Sequence, residues 1–316
     1  MIVLIILSYN EEIYIAETIE NYIKEFEKVI VINDGSKDST LQILNSLSFK
    51  NLEIINHKKN MGAGASFESG LKRSIELDAS YIIKIDGDNQ FKKDDVLKIK
   101  SILEKEHFDY IKCDRFWSGG ILGKIPLIRY FGNAFASFLI KFCSGNWTVN
   151  DPLNGLIALS KRAAREIEFP KKFFRYGYPF FVANKICKLG NIKKFKVGQF
   201  KNVVKYGDEK SYLKPLSMFT KLISFTISNY FSKIKVKIKY SEYQFSSILD
   251  LLTLIFLSLS TYSVVRFFNI RYFLKDGLQS SWFLLFVIFF IIFIILIIIS
   301  QRIENKISKQ YIKDII

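Results

Sequence analysis

Short apolar runs alternate with segments of helical period over the first ninety residues. Positions 2–7 form one apolar run, and in 11–26 the residues Ile15, Ile19, Ile23 and Phe26 share one helical face. A second apolar run at 29–32 precedes Ser39, which caps a helix ending near Leu47. Runs at 52–55 and 81–85 flank a helical segment at 63–77. Four strands separated by helices predict parallel pairing with right-handed crossovers, an α/β nucleotide-binding layout.

Beyond residue 90 the pattern is less regular, with a helix predicted at 94–105, a strand at 110–113 and a helix at 127–142. From 213 to 231, Lys214, Ser217, Lys221, Ser224 and Ser228 recur at three- and four-residue steps, opposite Leu216, Phe219, Ile223, Ile227 and Tyr230. That pattern predicts an amphipathic helix, placed at a membrane interface by the apolar segments that follow. Residues 277–301 carry no charge, and at about 1.5 Å per residue they outspan a hydrocarbon core of roughly 30 Å. A second apolar segment, 244–265, is interrupted by Asp250. Together they predict a transmembrane hairpin with spans at 244–266 and 279–301.

The net charge of +16 points to nucleic acid, anionic lipid or phosphorylated substrate. The distribution of lysines favours a membrane over nucleic acid. Lys233, Lys235, Lys237 and Lys239 precede the hairpin and Arg302, Lys306, Lys309 and Lys313 follow it, whereas the connection carries Arg266, Arg271 and Lys275. By the positive-inside rule both ends face the cytoplasm, so the expectation is a multi-pass protein of the cell (inner) membrane whose large N-terminal domain is cytoplasmic. The first residues do not read as a signal peptide. Three scattered cysteines and two histidines argue against a disulfide framework or a zinc site.

In an open parallel sheet the ligand lies outside the carboxyl ends of the strands. The residues that follow the four strands are Ser8-Tyr9-Asn10-Glu11, Asn33-Asp34-Gly35-Ser36, Asn60-Met61-Gly62-Ala63-Gly64 and Asp86-Gly87-Asp88-Asn89-Gln90. The carboxylates of Asp86 and Asp88 are suited to bridging a small oxygen-ligated cation to a diphosphate. Asp34 is placed to accept from a nucleobase, and the backbone from Asn60 to Gly64 to present N–H groups to phosphate at a helix start.

In this order, these motifs resemble glycosyltransferase family 2 with the Rossmann-like GT-A fold, and within it the polyprenyl-phosphate glycosyltransferases such as dolichol-phosphate mannose synthases and undecaprenyl-phosphate glucosyltransferases. The resemblance implies that Tyr9, Glu11, Asp34 and Asp86 bind the nucleotide, and that Asp86, Asp88 and Gln90 address Mg2+ or Mn2+ and the diphosphate. It implies that Arg115, Arg129, Asn133 and Lys205 receive the acceptor phosphate, and that Asp151 of Asp151-Pro152-Leu153-Asn154-Gly155 acts as base or positions the acceptor. Asp88, Asp151, Arg115 and Arg129 form the implied catalytic set, and Lys205 opens a late basic loop, 205–211. The chain departs from the family pattern at Leu7, Asn33, Phe91-Lys92-Lys93, Ile157 and Lys205.

The implied organisation is a GT-A domain at 1–210, an amphipathic and basic juxtamembrane segment at 211–243 and the hairpin with its basic tail at 244–316. The implied reaction is metal-dependent, inverting transfer of a sugar from a UDP- or GDP-sugar to undecaprenyl or dolichyl phosphate. A homo-oligomer is compatible with this reading. Two alternatives remain: another membrane glycosyltransferase making polysaccharide or glycolipid, and a non-catalytic nucleotide-binding scaffold.

Overall fold

The computed structural model describes residues 1–117, 120–122, 127–146, 149–173, 175, 177–205, 215–239, 244–274, 279–308 and 312–315. The strands are β1 (Ile2–Ser8), β2 (Lys28–Asn33), β3 (Leu52–Asn56), β4 (Tyr81–Asp86), β5 (Tyr110–Asp114), β6 (Ile121–Leu122), β7 (Ile157–Ser160), β8 (Val197–Lys201), β9 (Val204–Lys205) and β10 (Ile312–Ile315). The helices are α1 (Ile15–Ile23), α2 (Thr40–Ser46), α3 (Ala63–Glu76), α4 (Lys93–Glu106), α5 (Leu127–Ser144), α6 (Lys161–Ala164), α7 (Tyr178–Lys193), α8 (Pro215–Lys239), α9 (Gln244–Asn269) and α10 (Gln279–Ser308). The chain divides into two compact units, Met1–Ile227 with Tyr311–Ile316, and Ser228–Gln310.

The first unit is built on an eight-stranded sheet of order β10-β8-β5-β7-β4-β1-β2-β3, in which β7 runs antiparallel to β4 and β5. The strand period of two sorts β1 onto both faces. Val3, Ile5 and Leu7 join one core with Phe67 and Leu71 of α3, Ala136 and Ile140 of α5, and Phe180 and Ile186 of α7. Ile2, Leu4 and Ile6 join the other with Ile15 and Ile19 of α1, Leu44 of α2, and Val96 and Ile99 of α4. A β1 buried along its whole length is what a sheet covered by helices on both faces requires. Cys113, Cys143 and Cys187 are unpaired and buried, as small core hydrophobes.

The start of α8 belongs to this unit. Met218, Leu222 and Phe225 are buried, with Phe225 edge-on to Phe173 at 4.8 Å between ring centroids. The face expected to be apolar is turned outward in part, with Phe219 and Ile227 exposed. This first part of the helix therefore packs within its own unit through a face rotated from the one expected to enter a membrane interface.

In the second unit α9 and α10 pack against each other through Phe256 and Phe289, Tyr262 and Trp282, and Phe267 and Phe283. Phe256 meets Phe289 while Phe267, eleven residues later, meets Phe283, six residues earlier, so the two helices run antiparallel. The stretches Phe245–Tyr272 and Ser280–Lys306 are long and apolar enough to cross a membrane. Their outward surfaces are large apolar side chains, among them Ile248, Ile255, Phe283, Leu284, Ile291 and Ile295.

At one end of this hairpin lies an ionic cluster that corrects the reading of the juxtamembrane lysines. Lys233 and Lys237 are buried, not turned to an anionic leaflet. Lys233 pairs with Glu304 at 3.0 Å, and Lys237 pairs with Asp250 at 2.5 Å and with Glu304. Ser300 donates to the second Asp250 oxygen at 2.6 Å. Two cations and two anions, mutually hydrogen-bonded, remove the cost of an unpaired buried charge. Lys235 and Lys239, on the other face of the helix, remain exposed.

Candidate active site

The carboxyl ends of β1, β2 and β4 and the start of α3 enclose a cavity of about 490 Å³. It is lined by Leu7 to Glu11, Asp34, Asn60, Gly62, Ala63, Ser66, Asp86, Asp88 and Arg175. The order β3-β2-β1-β4 places this cavity where successive crossovers diverge, at the switch point where open α/β sheets bind ligands. Tyr9, Glu11, Asp34, Asp86 and Asp88, all singled out from the sequence, meet here.

Asp34 leaves the end of β2 and is buried. Its Oδ1 accepts from the Met61 N–H at 2.9 Å and its Oδ2 from the Gly62 N–H at 2.7 Å. Nδ1 of His57 lies 2.8 Å from Oδ1, and Nε2 of the same ring meets Ser69 Oγ at 3.0 Å. The carboxylate thus staples the loop before α3 to the tip of β2. Beside it Gly35 has φ +66°, and a Cβ there would sit 2.6 Å from the Lys59 carbonyl carbon, so only glycine fits. The N–H groups of Met61 and Gly62, read from the sequence as part of a phosphate cradle, are spent on Asp34.

Asp86 is held from beneath. Lys84, two residues earlier on the same face of β4, is wholly buried and donates to Asp86 Oδ1 at 2.5 Å and to the Gly155 carbonyl at 3.2 Å. Its ammonium also lies 5.3 Å from the Tyr178 ring centroid. Burial, with the charges of Asp86 and Asp88 adding to it, drives the Tyr178 phenol well above its ordinary pKa, so it stays neutral. Gly155 closes the other side, where a Cβ would lie 2.4 Å from Asp86 Oδ2. Asp88 accepts from the Gln90 N–H at 3.2 Å, across a turn in which Asn89 takes φ +56°.

The two carboxylates open on the same cavity, and their hard oxygens suit Mg2+ or Mn2+. Among the described residues no third His, Cys, Asp or Glu joins them. A cation at this site would be held by Asp86 and Asp88. Gln90 is not part of the cavity lining, and its carbonyl accepts from the Lys205 N–H at 3.1 Å.

The remaining site residues lie elsewhere. Arg115 and Asp151 do not line the cavity but pair with each other, 2.9 Å from Nε to Oδ2 and 3.1 Å from an η nitrogen to Oδ1. Asp151 is fully buried with φ +45°, and accepts also from the Arg115 N–H and the Asn154 side chain, at 3.1 and 3.0 Å. Asn133 is buried on α5, and the Lys205 side chain is exposed on β9. The Arg129 side chain and the basic loop after Lys205 lie outside the described residues.

Three residues of this neighbourhood escaped the sequence reading. Lys84 and Lys112 each stand two positions before an aspartate in an apolar strand, and a lysine at such a position is the signal that was available. Both oppose Ile157 of β7, from its two sides, and Lys112 donates to the Asn154 carbonyl at 2.9 Å. Burial lowers the Lys112 pKa to about 8, partly offset by the charge of Asp151. The two lysines pin adjacent carbonyls of the loop that carries Asp151. Arg175, the third, has no neighbours of helical or strand period to mark it.

A doubly wound sheet with paired aspartates after β4 at its switch point is the GT-A arrangement. Residues 3–168 match the model of glycosyl transferase family 2, and the chain belongs to that family. It is 30% identical over 191 residues to the UDP-N-acetylglucosamine–dolichyl-phosphate N-acetylglucosaminyltransferase of Methanococcus voltae, covering 56% of this chain and 76% of that protein. It is 27% identical to a dolichyl-phosphate beta-glucosyltransferase of Trichomonas vaginalis, covering 53% of this chain and 54% of that one. The fold is similar to that of glucosyl-3-phosphoglycerate synthase from Mycobacterium tuberculosis in complex with Mn2+ and UDP-glucose, with a TM-score of 0.50 at 16% identity over 74% of this chain and 78% of that one.

Proposed function

We propose that the protein transfers a sugar from a UDP-sugar to a polyprenyl phosphate, giving a polyprenyl-phosphate sugar at the cytoplasmic face of a membrane. The observation that carries this reading is the convergence of Tyr9, Glu11, Asp34, Asp86 and Asp88 on one cavity, in a chain that also carries two membrane-length apolar helices. The relatives that act on dolichyl phosphate supply the acceptor class, and the archaeal one supplies UDP-N-acetylglucosamine as the first donor to try.

In this reading Tyr9, Glu11 and Asp34 hold the nucleoside while Asp86 and Asp88 hold Mg2+ or Mn2+ against the diphosphate. A bound divalent ion would supply positive charge to the departing diphosphate. Lys84 fixes the Asp86 carboxylate in place before any ligand arrives, so little reorganisation remains at the moment of reaction. The acceptor phosphate is already anionic near neutral pH, so it needs orientation more than deprotonation. That requirement fits a site whose Asp151 is committed to Arg115. Direct attack by the phosphate on the anomeric carbon, opposite the leaving group, gives inversion.

Membranes containing the protein, incubated with Mg2+ or Mn2+, a panel of labelled nucleotide sugars and dolichyl or undecaprenyl phosphate, are expected to yield an organic-extractable labelled lipid. Absence of such a lipid with every donor would refute the reading.

A further inference from the structure

We propose that Arg175 binds the diphosphate of the sugar donor, an inference that rests on the donor reading of the cavity. Arg175 lies beyond the family-matched residues 3–168, in the turn that precedes α7, and nothing in the family's strand-end motifs points to it. It is exposed, lines the cavity, and is steered by the Asn60 side-chain oxygen, which accepts from one of its η nitrogens at 3.0 Å.

The charge around the cavity calls for such a residue. Among the described lining residues four carry carboxylates, Glu11, Asp34, Asp86 and Asp88, and Arg175 alone is cationic. A nucleotide sugar brings further negative charge into this surrounding, and like charges in a partly desolvated cleft repel strongly. Two carboxylates are already answered from within. Asp34 accepts two backbone N–H groups and contacts His57, and Asp86 is paired with Lys84.

Two of the backbone N–H groups that a phosphate could use in the loop before α3 are already committed. The Met61 and Gly62 N–H groups before α3 point at Asp34. A guanidinium that lines the cavity and uses one η nitrogen on Asn60 keeps further donors, and its planar fork is suited to two phosphate oxygens. Because Arg175 is part of the protein, its contribution persists without metal.

Calorimetric titration of the full chain in detergent tests this, with UDP and, at higher concentration, uridine as probes, in Mg2+ and in EDTA. Arg175→Ala is expected to weaken UDP binding roughly ten- to hundredfold in both buffers, and to leave uridine binding unchanged. Arg175→Lys is expected to fall between, keeping the charge but losing the fork. Unchanged UDP affinity in Arg175→Ala, with the wild type binding UDP, would overturn the inference and leave the donor reading intact. Equal loss of UDP and uridine would also overturn it, as a sign of a collapsed pocket. A wild-type protein that binds neither probe would overturn the donor reading itself.

Discussion

The guanidinium of Arg115 grips both oxygens of the Asp151 carboxylate, a pairing in which the acid is fully buried and the base nearly so. Removing one partner of such a pair leaves an uncompensated charge in the interior. Asp151→Asn is therefore expected to destabilise the first unit by about 3 kcal/mol, seen as a lower thermal midpoint in detergent. Asp151→Leu combined with Arg115→Met should recover much of that loss. An Asp151→Asn variant that melts like the wild type yet has lost turnover would instead give Asp151 a direct part in the reaction, as base or in positioning the acceptor.

Asp34 makes a comparable prediction on the donor side. Asp34→Ala leaves the Met61 and Gly62 N–H groups without their acceptor. Stability should fall by roughly 2 kcal/mol or more, together with nucleotide affinity. Loss of nucleotide binding at wild-type stability would reduce Asp34 to a ligand contact alone.

Lys112 gives the fold a pH signature. Its folded pKa, about 8, lies below the ordinary lysine value of 10.5, so the cost of burying the charge is fully present below pH 8. Between pH 8 and about 10.5 the unfolded chain holds a proton that the folded chain has shed, and stability rises with pH. The gain is on the order of 3 kcal/mol. Urea unfolding at pH 7 and pH 10 should show this rise in the wild type relative to Lys112→Met. Parallel pH dependences in the two proteins would contradict it.

The elements that could be read in advance are those whose pattern is local. β1 to β5 and α1 to α5 stand close to the runs that predicted them, because burial on one or two faces writes itself into neighbouring residues. β7, β8 and β10 were not read. They are four or five residues long, and β7 finds its place only between β4 and β5, strands far away in the chain. The cavity residues Tyr9, Glu11, Asp34, Asp86 and Asp88 were legible because each stands at or just beyond the end of a strand. The commitment of Asp151 to Arg115 was not, since thirty-six residues separate them. In the run from Lys233 to Lys239 lysine alternates with apolar residues, which looks like a basic strand or linker. Folded as the end of α8, it puts Lys233 and Lys237 on one face and Lys235 and Lys239 on another.

That buried ionic cluster should behave as a unit. Lys237→Met alone leaves Asp250 and Glu304 sharing Lys233, and is expected to lower the thermal midpoint in detergent markedly. Adding Asp250→Leu removes one charge of each sign and should restore part of the loss. The double-mutant cycle should give a coupling of about 1–3 kcal/mol. Additive effects of the two changes would mean that the cluster contributes no coupled stability.

The most direct measurement is the identity of both products of a single reaction. Purified protein with UDP-N-acetylglucosamine, Mg2+ or Mn2+ and dolichyl phosphate should release UDP in equal amount to a lipid whose mass equals the carrier phosphate plus one N-acetylhexosamine residue. With Asp88→Ala, both products should disappear. Release of UMP with a diphosphate-linked lipid, or undiminished product from Asp88→Ala, would contradict sugar transfer to a polyprenyl phosphate at this site.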